Sequence, residues 1–231
     1  MISIENLSKT FQLHILGGKI IEGISGVSLD IRQGEFVGLS GPSGSGKSSI
    51  LKCIYRTYLP TGGHIWFDSL SRGRIDLASA PEYDVLKIRR EEIGYVSQFL
   101  RVIPRVPAID IVADPLISAG MPAEEAKRRA ADLLGRLDVS ERLFDAYPAT
   151  FSGGEQQRIN IARAIVWKPR FLLLDEPTAS LDKRSAGLVI EELMTMRSEG
   201  TAMIGILHDR ELMETIADRI HPLKEVISIE A

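Results

Sequence analysis

Apolar residues follow two rhythms along this chain, and the rhythms sort it into strands and helices. Positions 2–7 and 25–31 alternate apolar and polar, so both read as strands. The runs at 36–40, 171–175 and 201–207 are apolar but for Ser40, Asp175 and Thr201 at their ends, as strands buried on both faces of a parallel sheet are. Segments 93–97 and 64–67, the latter after a turn at 60–63, also read as strands. Helical spacing fills other stretches. One helix is predicted to start in the glycine-rich segment after Ser40 and to run through Ile50, Leu51 and Ile54. Pro122 opens another, with Glu124 and Glu125 at the positive end of its dipole and Ala126, Ala130, Leu133, Leu134 and Leu137 along one face. Ala186, Val189, Leu193 and Met196 mark a third stripe, stopped by Gly200. Strands alternating with helices predict an α/β architecture, strand-rich in its first third and mostly helical in the middle.

Composition narrows the picture slightly. The 231 residues suffice for one large or two small domains, and no linker or repeat divides them. A net charge of −3 argues against broad nucleic-acid binding, so no nucleic-acid partner is expected. The one cysteine, Cys53, can form neither an intrachain disulfide nor a zinc site, and reads as a small buried hydrophobe. No apolar run approaches the ~20 residues needed to span a bilayer, and the first residues lack a basic-then-apolar leader. The expected location is cytoplasmic, with any membrane role exerted through a partner. The basic run Lys127, Arg128, Arg129 lies mainly off the apolar face of its helix and reads as solvated.

Two segments carry chemistry. Gly41, Pro42, Ser43, Gly44, Ser45, Gly46, Lys47 and Ser48 fit G-x-x-x-x-G-K-[ST] between a strand and a helix, the context a phosphate loop requires. Glycines let successive backbone N–H groups turn inward around phosphate oxygens, and the helix N-terminus adds the positive end of its dipole. Lys47 is expected to reach the β- and γ-phosphates of ATP, Ser48 to ligate Mg2+, and Ser49 to belong to the same site. The second segment is the apolar run ending in Asp175 and Glu176. Ligands bind beyond the carboxyl ends of parallel strands, so Asp175 is a candidate Mg2+ ligand and Glu176 a candidate base for an attacking water.

With these motifs in place, the chain resembles the ATP-binding-cassette (ABC) ATPases over nearly its whole length. Phe151, Ser152, Gly153, Gly154, Glu155, Gln156, Gln157 and Arg158 are similar to that family's signature loop, with Phe151 and Glu155 departing from the usual leucine and glutamine. The resemblance implies one nucleotide-binding domain over 1–231. That domain has a P-loop NTPase core, an N-terminal antiparallel β-subdomain and an inserted helical subdomain at about 99–165. It also implies that Gln98 couples Mg2+ and water to the helical part, that Ser180, Leu181 and Asp182 cross to a partner subunit, and that His208 contacts the γ-phosphate. Phe11 matches the aromatic residue that stacks on adenine; simple core packing is its alternative. In such proteins two cassettes stack head to tail. The signature loop, with Ser152, Gly153, Gly154 and Glu155, then reads the ATP held by the other subunit's phosphate loop, in a homodimer or a mixed pair.

The stretch from Gln98 to Arg105 and the motifs after it most resemble PhnL-type cassettes of the bacterial carbon–phosphorus lyase system. That resemblance implies phosphonate breakdown, help in making ribose 1-methylphosphonate 5-triphosphate, and lyase-core subunits as partners. The alternative is the motor of a lipoprotein-releasing or macrolide-export transporter, which Ile88, Arg89, Arg90 and Ile93, Gly94, Tyr95, Val96 also resemble. There the partner is a membrane permease, and Arg101 and Arg105 are either partner contacts or solvated loop charges. DNA-repair and chromosome-organising cassettes need long coiled-coil insertions, and the chain has no sustained heptad run.

Overall fold

A computed structural model describes residues 1–13, 19–98 and 105–224. Its first layer is an antiparallel sheet of order β2-β1-β4-β5, formed by β1 (Ile2–Leu13), β2 (Lys19–Ile31), β4 (Gly62–Ser69) and β5 (Gly73–Asp76). The second is a parallel sheet of order β6-β7-β8-β3-β9, formed by β3 (Phe36–Ser40), β6 (Ile93–Val96), β7 (Phe171–Asp175), β8 (Ala202–Ile206) and β9 (Arg219–Pro222). The helices are α1 (Lys47–Ile54), α2 (Glu82–Glu91), α3 (Ala108–Ser118), α4 (Ala123–Arg136), α5 (Gly153–Ile165), α6 (Lys183–Ser198) and α7 (Arg210–Ile216).

The parallel sheet is covered on both faces, which is why its strands are unbroken apolar runs. Phe36, Leu172, Leu174 and Met203 face one core, shared with α3, α4, α5 and α6. Their neighbours Val37, Leu39, Phe171, Leu173, Ile204 and Ile206 face the other, shared with α1 and the antiparallel sheet. Within the first core, α3 packs on both α4 and α5. The face predicted for α4 is buried as expected, from Ala126 to Leu137.

Three sequence expectations shift. The segment 60–63 is not wholly a turn: β4 begins at Gly62, and Gly63 takes φ 83° where the β1–β4 register slips between Glu5 and Ser8. A Cβ at Gly63 would collide with the Asn6 carbonyl, so only glycine fits this bulge. The stripe on α6 starts at Ser185 rather than Ala186, because the Ser185 hydroxyl is drawn inward between Asp182 and Arg158. β1 continues past residue 7 to Leu13, through polar positions that alternation alone does not mark.

Candidate functional site

The order of the parallel sheet, β6-β7-β8-β3, lines up the loops that follow these strands at their carboxyl ends. Those loops carry Gln98, Glu176, His208 and the glycine loop respectively, so residues far apart in the chain share one edge. His208 is exposed just beyond β8.

The glycine loop leaves β3 at Gly41 (φ 150°), turns at Gly44 (φ 81°) and enters α1 from Gly46 (φ 88°). A Cβ at Gly46 would strike the Gly23 carbonyl oxygen, so this left-handed helix cap is reserved for glycine by both φ and space. Gly23 also lies against Phe11, which brings that ring to the loop's side. Phe11 is half-buried, edge-on to Tyr58 at 5.2 Å, with the Lys9 ammonium 5.1 Å from its ring centre. Pro42, Ser43 and Gly44 are exposed, while Ser49 is half-buried in the first turn of α1. Lys47 folds back over its own loop and donates to the carbonyl oxygens of Gly41 and Pro42, each at 2.8 Å. Ser45 is buried, and its hydroxyl has no hydrogen-bond partner among the described residues.

Opposite the loop, Asp175 is buried at the end of β7 and receives two hydroxyl donors. Ser48 gives its proton to Oδ1 at 2.9 Å and Tyr95 to Oδ2 at 3.0 Å. The next residue, Glu176, is half-buried at φ 52°, a left-handed conformation that costs a non-glycine residue about 1–3 kcal/mol. Its N–H bonds the Ile206 carbonyl at 3.0 Å, which anchors the strained turn to β8. Gln98 donates through Nε2 to Glu176 Oε2 at 3.3 Å.

The Ser152 loop is built differently from the phosphate loop. Ser152 caps α5 in a capping box: its hydroxyl accepts from the Glu155 N–H, and the Glu155 carboxylate accepts from the Ser152 N–H. Bonds from the Ser152 hydroxyl and N–H hold the Glu155 carboxyl below the usual carboxylate range. Phe151 is buried against the helical core, so its departure from leucine keeps an apolar anchor. Gly154 lies beside the Ser180 carbonyl and Leu181, while Asp182 caps α6 by accepting from the Ser185 N–H at 3.0 Å. No hydrogen bond or ion pair among the described residues joins this loop to the phosphate loop.

The sequence reading missed what three residues do. Tyr95 was read as part of a strand and of a transporter-like segment, and its hydroxyl turns out to hold Asp175. Gln157 and Asn160 are buried polar residues one turn apart on α5. Gln157 donates to the Pro177 carbonyl and Asn160 to the Ser97 carbonyl, tying the Glu176 and Gln98 loops to one helix. Two amides inside an otherwise apolar helix face were the available signal. Cys53 is a bystander: burial pushes its thiol up to about 11. Arg105 is exposed at φ 59°, and Arg101 lies outside the described residues.

A glycine-built anion loop on a parallel strand, with two carboxylates at the end of a nearby strand, defines a P-loop nucleotide-binding protein. A family model described as ABC transporter matches residues 24–179. The macrolide export ATP-binding/permease protein MacB of Brucella abortus is 40% identical over 225 residues, which is 97% of this chain but 33% of that protein. The lipoprotein-releasing system ATP-binding protein LolD of Paramagnetospirillum magneticum is 35% identical, over 99% of this chain and 97% of its own length. The uncharacterized ABC transporter ATP-binding protein MJ0796 of Methanocaldococcus jannaschii is 35% identical over 229 residues. A dimeric structure of MJ0796 superposes with a TM-score of 0.88, covering 97% of this chain and 95% of that one. Another dimeric MJ0796 structure, in a post-hydrolysis state bound to ADP and Pi, also reaches 0.88. The chain belongs to the ABC transporter ATP-binding cassette family. It spans about a third of the length of the MacB relative.

Proposed function

We propose that this chain binds ATP with Mg2+ and hydrolyses it as the cassette subunit of a membrane transporter. The observation that carries this reading is the pairing across the strand ends, Ser48 on Asp175 and Gln98 on Glu176. The residues fit the cation: a serine hydroxyl and a carboxylate 2.9 Å apart are hard oxygen donors, as Mg2+ prefers when phosphate oxygens and water complete its shell. The buried, unpartnered Ser45 hydroxyl fits a loop awaiting an anion. When bound, Mg2+ neutralises charge on the phosphate oxygens.

The rest is the work of the chain's own groups. Lys47 exchanges two loop carbonyls for the β- and γ-phosphates, and the loop N–H groups cradle their oxygens. Glu176 accepts a proton from the attacking water, a role worth 10²–10⁴ in rate, and Gln98 fixes the carboxylate that does so. His208, beyond the neighbouring strand, reaches the γ-phosphate, and Phe11 flanks the adenine. A second cassette, identical or not, supplies Ser152, Gly153 and Gly154 to this chain's ATP, with Ser180, Leu181 and Asp182 beside them. The stretch at about 99–165, of which 99–104 lie outside the described residues and the rest includes α3, α4 and α5, forms the part that responds to a membrane partner. A groove of about 660 Å³ beside Ser97, lined by Lys52, Tyr55, Arg89, Asp114 and Arg163, is where that partner seats.

The relatives favour the transporter alternative: MacB by its name is an export ATP-binding/permease protein and LolD belongs to a lipoprotein-releasing system. Neither points to phosphonate chemistry, so the carbon–phosphorus lyase role and its triphosphate-synthase assignment have no support from them. Among the described residues, no helix is long and apolar enough to cross a membrane. Affinity capture of the tagged chain from its native cells, followed by mass spectrometry, tests the reading. Recovery of a membrane permease is expected, and recovery of lyase-core subunits in its place would reverse the assignment.

A further inference from the structure

We propose that Tyr95 is a positioning residue for the metal carboxylate, holding Asp175 by Oδ2 and leaving Oδ1, which Ser48 meets, as the oxygen that would face the cation. The inference rests on the reading of Asp175 as a metal-site residue. Tyr95 pairs with Leu173 across the β6–β7 register, and Asp175 lies two residues further along β7. Two residues of strand span roughly 6.6 Å, which the length of a tyrosine side chain bridges and a phenylalanine falls short of by its missing oxygen.

The phenol is well placed for this task alone. A phenol carries its proton at neutral pH, so it is a standing hydroxyl donor. Its ring is clamped by Tyr55, with centroids 4.9 Å apart, and the Arg89 guanidinium stacks 3.9 Å from the Tyr55 ring centre.

The two donors on Asp175 are not equivalent. A serine that turns a lone pair to a cation can still give its one proton to Oδ1, so the Ser48 bond must adjust to the metal. Tyr95 has no such second duty, and its bond persists. A carboxylate is broad in its terminal torsion, so the persisting bond keeps Oδ1 aimed at the metal. Tyr95→Phe would leave Oδ2 without its donor and let the group swing.

The test separates metal from nucleotide. A fluorescent ATP analogue is titrated into the purified chain, first in EDTA and then at rising Mg2+, for the wild type, Tyr95→Phe and, as a control, Tyr83→Phe at an exposed tyrosine. Melting curves establish that each is folded at the working temperature. For Tyr95→Phe the affinity in EDTA is expected to be unchanged, and the Mg2+ midpoint to rise about threefold, the cost of orienting a carboxylate left free to swing. Mn2+ binding followed by its paramagnetic resonance signal should weaken in parallel. Tyr83→Phe, which keeps the Asp175 bond, should behave as wild type. An unmoved midpoint in Tyr95→Phe, or an equal shift in both variants, overturns the proposal. A wild-type chain whose nucleotide affinity ignores Mg2+ would instead overturn the metal reading of Asp175.

Discussion

At the scale of single residues, the site's side chains are held by contacts that ATP must replace. Lys47 spends its charge on two loop carbonyls. Lys47→Ala should therefore leave the melting temperature nearly unchanged yet lower nucleotide affinity several-fold or more, as measured with a fluorescent analogue. Glu176 is held in a left-handed turn that glycine, lacking a Cβ, would relax. The isosteric Glu176→Gln keeps the shape and the Gln98 contact but loses the base. It should bind ATP normally, slow hydrolysis by about a hundredfold or more, and accumulate a dimer on a sizing column in ATP. Normal turnover in that variant would remove Glu176 from the mechanism. The candidate acids and the lysine were legible in the sequence because they sit in motifs of fixed spacing. Tyr95 was not, because a tyrosine in an apolar strand looks the same whether its hydroxyl meets water or a buried carboxylate.

At the scale of elements, one buried charge joins the two sheets. Glu92, between α2 and β6, accepts from the Ser69 hydroxyl and the Leu70 N–H and pairs with Arg170 at 2.5 Å. Burial alone would raise its pKa; the Ser69 and Leu70 bonds and the Arg170 charge outweigh it and hold it below the usual carboxylate range. A lowered folded-state pKa stabilises the fold above the unfolded value, and the gain is lost as pH falls through the folded one. Urea unfolding from neutral pH down to about pH 3 should thus show a steeper loss of stability below about pH 5 for wild type than for Glu92→Gln. The variant should itself be about 1–3 kcal/mol less stable at neutral pH, from the weakened Arg170 and Leu70 contacts. Elements with a strong local rhythm, such as α4 and β7, could be read directly. α2 could not, since it buries only Val85 and Ile88 among charged neighbours, and α3 carries Pro115 in its interior. β9 is an edge strand ending in proline that finds its partner, β3, about 180 residues back along the chain.

At the scale of the whole molecule, the proposed function gives the signature loop and the phosphate loop of one chain to different sites, which makes function a property of a pair. Gly153 allows a clean test, because a Cβ there meets nothing within 4 Å and an acid suits the first turn of a helix. Gly153→Asp should fold as wild type but repel the partner's phosphate and abolish ATP-dependent association. Mixed with Lys47→Ala chains, it should recover part of that association, since the mixed pair contains one intact site. Light scattering on each variant alone and on the mixture decides this, and no recovery in the mixture would count against the shared site. The groove proposed for the membrane partner and Asp175, the proposed metal carboxylate, meet at Tyr95, which lines one and bonds the other. The sequence by itself determined the chemistry present: an anion loop, two acids after a buried strand, and a second glycine loop opening a helix. All of these are local patterns, set by backbone freedom and periodicity over a few residues. Only the tertiary structure decided which of them meet. Ser48 reaches Asp175 across 127 residues and Gln98 reaches Glu176 across 78, because the parallel sheet orders its strands by packing and crossover rather than by position in the chain.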